Sequence, residues 1–144
     1  MRVGFLADFL SRTVLIGFFT AAIAEVCALA GRRTRALQEL SEALAVVEDN
    51  DEGVWEPELL RLRGELVKSI DRKEAERCIS KAIDIARRQS SKSFELRAAL
   101  SLHRLRRGKR KSESLDAVRR LYESFSEGFE TGDLLDAKGI LGRG

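Results

Sequence analysis

Interruptions in the apolar pattern recur along this chain at a nearly constant spacing. Gly31, Asp71 and Gly108 each separate two stretches rich in leucine and alanine, and successive interruptions lie 40 and 37 residues apart. Within the stretches, apolar residues recur every three or four positions, as on one face of an α-helix. A long period of this kind is typical of stacked repeats, in which each helix pair buries its apolar face against the next pair. The sequence therefore predicts three helix-turn-helix pairs.

Composition supports this prediction and narrows the class of protein. The 144 residues are 44% hydrophobic and 34% charged, which excludes a disordered tail and a polytopic membrane protein. No stretch alternates valine, isoleucine and threonine as a strand would. One histidine and two cysteines are too few for most metal sites or for a disulfide framework, so we expect no cofactor. Cys27 and Cys78 are expected to be buried free thiols in a cytoplasmic protein, with a disulfide between them as the alternative.

Small residues occupy the positions where the two helices of a tetratricopeptide-type repeat cross closely. We predict an all-α fold of about three tetratricopeptide-like repeats in a short right-handed superhelical array with terminal helices. The domain boundaries follow from the breaks: an apolar helical cap at 1–16, a repeat domain at 17–141, repeats at about 17–53, 54–90 and 91–127, and a terminal helix at 133–141. The predicted repeat-packing pairs are Ala24 with Ala36, Gly64 with Ala75, and Ala98 with Ser114.

Four separated segments carry a family resemblance. Residues 58–66 (ELLRLRGEL), 82–89 (AIDIARRQ), 93–99 (SFELRAA) and 127–134 (EGFETGDL) resemble the carboxy-terminal tetratricopeptide region of bacterial signalling ATPases. Those proteins join an ATPase to an adenylate or guanylate cyclase domain or to a LuxR-type DNA-binding domain. The resemblance covers roughly residues 17–141 and implies a partner-sensing regulatory region. Gly132 departs from the family, which usually has proline at the start of the last helix.

The catalytic parts of that family are missing from this sequence. A phosphate-binding loop needs a glycine five residues before its Gly-Lys pair, whereas here His103 stands five residues before Gly108-Lys109. His103 has no second ligand or nucleophile at a useful spacing, and we expect it to be a partly exposed helix residue without a catalytic role. The sequence therefore predicts a protein that is not an enzyme.

The first thirty residues allow two interpretations. Residues 3–18 resemble one transmembrane segment of the sulfate permease family, but the best apolar window, at 13–30, is short and includes Glu25. Because a spanning helix needs about 20 apolar residues, we favour a capping helix followed by the first repeat helix. The alternative is a membrane-associated fragment anchored by residues 3–30. An apolar end of this kind also predicts a homodimer formed through residues 1–30.

The concave face of a repeat array, supplied by the first helix of each pair, is its usual partner groove. By the register of the resemblance, the predicted partner-binding residues are Arg61, Glu65, Lys68, Lys92, Glu95 and Leu102. Their mixed charges favour a protein or peptide segment as the ligand. Arg63 and Arg97 recur in that register and are expected to pair with carboxylates or carbonyls inside the array. Trp55 is expected to anchor packing between repeats.

A basic segment offers a different function. Six of the eight residues from Arg104 to Lys111 are lysine or arginine, which would allow salt-dependent nucleic-acid binding. The segment has no interleaved aromatic residues for base stacking, so a solvated turn is the favoured interpretation. The sequence thus predicts a non-enzymatic, cytoplasmic protein-interaction module of bacterial signal transduction, with membrane association and nucleic-acid binding as the alternatives.

Overall fold

The computed structural model describes residues 31–50 and 53–143, and this part of the chain is helical with no strand. The prediction of an all-α fold is therefore confirmed for these residues. The predicted cap at 1–16, the candidate dimer or membrane segment at 1–30, Ala24 and Cys27 lie outside them. The helices are α1 (Arg33–Asn50), a 3-10 helix (Gly53–Trp55), α2 (Glu56–Val67), α3 (Arg72–Arg88), α4 (Lys92–Leu105), α5 (Lys109–Glu123) and α6 (Gly132–Leu141).

Local sequence signals set the helix boundaries. Pro57 stands in the first turn of α2, where no helical partner is lost by its missing N–H. Asp71 caps α3 by accepting a hydrogen bond at 3.0 Å from the backbone N–H of Glu74. Gly108 precedes α5 with a φ of 57°, in the region that favours glycine. α4 ends at Leu105, because Arg106 adopts an extended backbone.

Consecutive helices from α2 to α5 run antiparallel. Gly64 on α2 lies against Ala75 and Ile79 on α3, across a short turn. Arg72, at the start of α3, donates a hydrogen bond to the carbonyl of Leu105, at the end of α4. Lys92, at the start of α4, donates through Nζ at 2.9 Å to the carbonyl of Ser124, which follows the last residue of α5.

Alternate helices form one side of the molecule. α2 packs directly against α4, and α4 packs against α6. α3 and α5 lie further apart and are joined by an ion pair, in which Arg110 Nη2 lies 2.7 Å from Glu76 Oε1. The surface formed by α2, α4 and α6 is named here the α2/α4/α6 face.

Two clusters of buried side chains form the core. The first lies among α1, α2 and α3 and is completed by Ala98 and Leu102 from α4. The second lies among α4, α5 and α6 and includes Leu96 and Leu100 from α4. Ile83 packs against both clusters. α4 therefore contributes side chains to both parts of the core, and it is the central helix of the described fold.

Three further expectations can be compared with the structure. Cys78 is a free, buried thiol, as predicted. His103 is 7% exposed, so the expectation of a partly exposed histidine was wrong: α4 is covered on that side by α5. In the part of the chain that the structure covers, every helix is too short or too polar to cross a membrane.

Candidate functional site

A stripe of polar side chains follows the α2/α4/α6 face. The residues of each helix that line it are spaced three or four apart, so they share one side of that helix. They are Glu58, Arg61 and Glu65 on α2 with Lys68 directly after its last residue, Arg97, Ser101 and Arg104 on α4, and Asp133 and Asp136 on α6. The stripe is defined by these nine residues.

Ion pairs link the stripe across all three helices. Glu58 accepts two hydrogen bonds from Arg61, one from Nη2 at 2.8 Å and one from Nε at 2.9 Å. Arg97 Nη1 lies 3.3 Å from the same carboxylate, and its Nη2 lies 2.8 Å from Asp133 Oδ2. Arg97 thus connects a carboxylate on α2 to a carboxylate on α6.

The inner end of this network is shielded from water. Glu58 is 8% exposed, and the Arg61 side chain is 16% exposed. Burial favours the neutral form of Arg61, but the hydrogen bond and the charge of Glu58 outweigh it and raise the arginine pKa. The hydrogen bond to Asp133 is the main cause of the raised pKa of Arg97. Both arginines, which are cations in any case, are therefore stabilised by carboxylates that the fold places beside them.

Glu65 and Lys68 lie at the more exposed end of α2. Lys68 Nζ donates to Glu65 Oε2 at 2.5 Å, and Ser101 also hydrogen-bonds the carboxylate. Burial would raise the pKa of Glu65, but these hydrogen bonds and the charges of Lys68 and Arg61 lower it overall. The carboxylate is therefore more acidic in the folded chain than in the unfolded chain.

This shift predicts acid sensitivity. Because its folded pKa lies below the ordinary value of 4.5, Glu65 stabilises the fold fully above that pH, and the contribution is lost as pH falls through the folded pKa. We expect the stability difference between the wild type and Glu65→Gln to shrink below about pH 4.5, measured by urea unfolding across a pH series. Glu113→Gln removes an exposed negative charge on α5 and is the control for nonspecific effects of charge on stability. A difference independent of pH would contradict the prediction.

An aromatic contact continues the stripe toward the start of α2. The ring centroids of Trp55 and Phe94 are 5.6 Å apart, and Arg97 Cζ lies 5.8 Å from the centroid of the Phe94 ring. Trp55 thus joins the 3-10 helix to α4, between the two successive helix pairs.

Arg63, which was also expected to pair within the array, lies near a carboxylate as well, 3.9 Å from Glu74 across the α2–α3 crossing.

The predicted partner-binding residues do not all lie on one surface. Arg61, Glu65 and Lys68 belong to the stripe, whereas Lys92 binds the carbonyl end of α5. Glu95 is 8% exposed and pairs with Arg87 on α3 at 3.0 Å.

Leu102 is 6% exposed and belongs to the first core cluster, so it packs in the interior and does not line an open groove. On α4 the outward positions are instead Arg97, Ser101 and Arg104.

The predicted repeat-packing residues are distributed as follows. Ala36 is fully buried in the first core cluster, and Gly64 lies against Ala75 with no room for a side chain. Ala98 belongs to the first core cluster as well, while Ser114 bonds to His103.

Carboxylates pair with half of the cations in the basic segment from Arg104 to Lys111. Arg104 lies 2.6 Å from Asp136, and Arg106 and Arg110 both pair with Glu76 on α3. Three of its six cations are thereby engaged within the fold. The arrangement favours a structured turn over a surface for nucleic-acid phosphates.

Six of the nine stripe residues were not among the predicted partner-binding residues: Glu58, Arg97, Ser101, Arg104, Asp133 and Asp136. Ser101 accepts a hydrogen bond from Arg61 at 3.3 Å, and Asp133 pairs with Arg97. One sequence signal could have found Asp133: Arg61, Arg97 and Asp133 lie at intervals of 36 residues, the same interval that separates the first residues of α2 and α4.

Comparison with known proteins identifies no relative of this chain. No protein-family model, curated protein or solved structure gives a significant match to this chain.

Proposed function

We propose that this chain is a non-enzymatic protein-interaction module of tetratricopeptide-like repeats, which binds a partner segment along the α2/α4/α6 face. The repeat assignment rests on two successive antiparallel pairs, α2–α3 and α4–α5. Their first helices begin 36 residues apart, and their second helices begin 37 residues apart. These intervals lie close to the period of about 34 residues in tetratricopeptide repeats.

The observation that carries the proposal is the rigid, mixed-charge stripe. Its inner members are held by ion pairs, so their orientation is fixed before a partner arrives, which lowers the entropy lost on binding. Its outer members remain in water: the side chains of Lys68 and Arg104 are 53% and 52% exposed, and that of Asp136 is 58% exposed. Alternating charges of this kind suit an extended segment that carries both acidic and basic residues.

The structure indicates which substitution tests the binding face. Arg61 holds α2 against α4, so changing it would disturb the fold together with the surface. Lys68 lies at the outer end of the stripe and pairs only with Glu65 within the described residues. Lys68→Glu therefore reverses a charge on the face with little effect on packing. Lys81→Glu makes the same change at an exposed position on α3, outside the face, and is the control.

Selection of peptides from a displayed random library on the purified protein tests the proposal. We expect peptides of micromolar affinity, with Lys68→Glu weakening binding about tenfold and Lys81→Glu changing it less than twofold. Isothermal titration of two selected peptides would give these values. An absence of binders, or equal losses in both variants, would overturn the proposal.

The resemblance to signalling ATPases extends the proposal to a cytoplasmic regulatory role in bacterial signal transduction. In such a role, occupancy of the α2/α4/α6 face would bias a linked or associated catalytic or DNA-binding domain. The repeats contribute recognition, and the chemistry belongs to the partner.

A further inference from the structure

A surface pocket of about 570 Å³ lies among α4, α5 and α6, at the end of the stripe. Its volume is in the range of small-molecule sites. Leu115 and Ile140 supply apolar wall, and the cationic side chains of Arg104, Lys111 and Arg143 surround them. Arg104 and Asp136 belong to both the stripe and the pocket wall, and the peptide-binding proposal does not use the other lining residues.

The charges of the pocket do not balance. Asp136 pairs with Arg104 at 2.6 Å, and it is the sole carboxylate among the residues that line the pocket. Lys111 has no carboxylate partner within the described residues. Arg143 binds the carbonyl of Gly139 through Nε at 2.8 Å, which leaves the two terminal nitrogens of its guanidinium for other acceptors. Three cations and one carboxylate leave two net positive charges.

The histidine in the pocket wall is held in one orientation. The Ser114 hydroxyl donates to the carbonyl of Lys111 at 2.7 Å and therefore accepts from Nδ1 of His103 at 3.1 Å. Burial lowers the pKa of His103, and the charge of Lys111 lowers it further. The imidazole is thus neutral near pH 7, and the cationic character of the pocket comes from lysine and arginine alone.

The backbone of α5 adds to the positive potential. Gly108 precedes the helix and lines the pocket, and the first turn of α5 contains no acidic residue. The N–H groups at a helix start carry partial positive charge and attract anions. The N–H of Lys111 already donates to the carbonyl of Gly108 at 3.0 Å, so the start of α5 contributes positive potential and no free backbone donor from that residue.

We propose that this pocket binds a small phosphomonoester, with the phosphate between Lys111, Arg143 and the start of α5 and the organic group against Leu115 and Ile140. A phosphate dianion matches the two net positive charges, and its three free oxygens can accept hydrogen bonds from the Lys111 ammonium and the Arg143 guanidinium, which both line the pocket. The apolar wall distinguishes an esterified phosphate from inorganic phosphate.

Phenyl phosphate is the probe, and His103 reports its binding. Since His103 is the chain's single histidine, its imidazole resonances in nuclear magnetic resonance spectra belong to this pocket alone. We expect saturable shifts with phenyl phosphate, weaker binding of inorganic phosphate, and at least fivefold weaker binding of benzoate, which places a carboxylate on the same ring. Binding should weaken as salt is raised.

Two variants locate the site. Lys111→Gln is expected to weaken phenyl phosphate binding about tenfold. Lys109→Gln, which removes an exposed cation from the same turn of α5 but outside the pocket wall, is expected to change it less than twofold. The proposal would be overturned by unchanged His103 resonances at about 10 mM phenyl phosphate, roughly the limit of a useful small-ligand affinity. Equal losses in both variants, or benzoate binding as tightly as phenyl phosphate, would overturn it as well.

Discussion

Gly64→Val will destabilise the protein by about 2–3 kcal/mol, because the α2–α3 crossing has no room for a side chain at this position. A Cβ on residue 64 would lie 2.6 Å from Ile79 Cγ1 and 3.0 Å from the carbonyl oxygen of Ala75. Ile79 is fully buried and cannot move aside, and the carbonyl belongs to the backbone of α3. The helix propensity gained by replacing glycine offsets only a few tenths of a kcal/mol. Urea unfolding followed by far-UV circular dichroism measures the loss.

A second glycine provides the matched control. Gly139 lies inside α6, where an added Cβ would meet only Arg143 Nη2, at 3.5 Å. Gly139→Ala should therefore stabilise the protein by about 0.5–1 kcal/mol. Ile79→Ala would make space at the crossing, so Gly64→Ala combined with Ile79→Ala should cost less than the two single changes added together. Additive losses would contradict a direct clash between positions 64 and 79.

The sequence was most informative where a local signal carries its own physical cause. Pro57, Asp71 and Gly108 each restrict the backbone or satisfy a helix end, so the starts of α2, α3 and α5 could be predicted without the fold. The crossing at Gly64 could be predicted for a similar reason, because a glycine inside an apolar helix indicates a close approach.

The side of α4 that is exposed to solvent could not be predicted in this way. The residues of α4 from Leu96 to His103 are buried with a single exception, Arg97, so apolar periodicity does not distinguish an inner side from an outer side. α4 is covered by neighbours on most of its circumference, which is a property of the tertiary arrangement. For the same reason Leu102 was assigned to the groove and His103 to an exposed position, and both lie in the interior.

Which acidic residue pairs with which basic residue could not be predicted from the sequence either. Acidic and basic residues are usually interpreted as a solvated surface, and Glu58 and Arg97 are 39 residues apart, more than one repeat. Only the packing of α2 against α4 brings them to 3.3 Å. Arg61 and Arg97 are each the sixth residue of their helix, although the sequence register had paired Arg63 with Arg97; neither spacing shows which side chains contact one another.

We expect Arg61→Met to lower the free energy of unfolding by about 2 kcal/mol, since the variant leaves the Glu58 carboxylate buried with half of its partners. The guanidinium supplies both hydrogen bonds to Glu58 from α2 itself and a third bond to Ser101 on α4. Arg97 Nη1, at 3.3 Å, would be the remaining cation beside the carboxylate. Urea unfolding measures the loss, and methionine keeps the apolar part of the arginine side chain so that packing along it changes little.

A second ion pair of the same spacing, at the end of the same helix, separates the effect of burial on stability from the effect of charge. Lys68 and Glu65 are three residues apart, as Arg61 and Glu58 are, but the Lys68 side chain is 53% exposed and that of Arg61 is 16% exposed. Lys68→Met should therefore cost no more than about 0.5 kcal/mol. Equal losses in the two variants would show that the Arg61 pair is as solvated as the Lys68 pair.

Removing the unpaired Glu58 charge as well tests whether that charge causes the loss of stability in Arg61→Met. In Arg61→Met combined with Glu58→Gln, no buried carboxylate remains without its arginine, so the double variant should be more stable than Arg61→Met alone by about 1 kcal/mol. If it is less stable, Arg61 contributes mainly through its bond to Ser101 and its aliphatic packing. A recovery would instead mean that the loss in Arg61→Met comes from the unpaired Glu58 carboxylate, so that the inner part of the stripe is stable only while its buried charges stay paired.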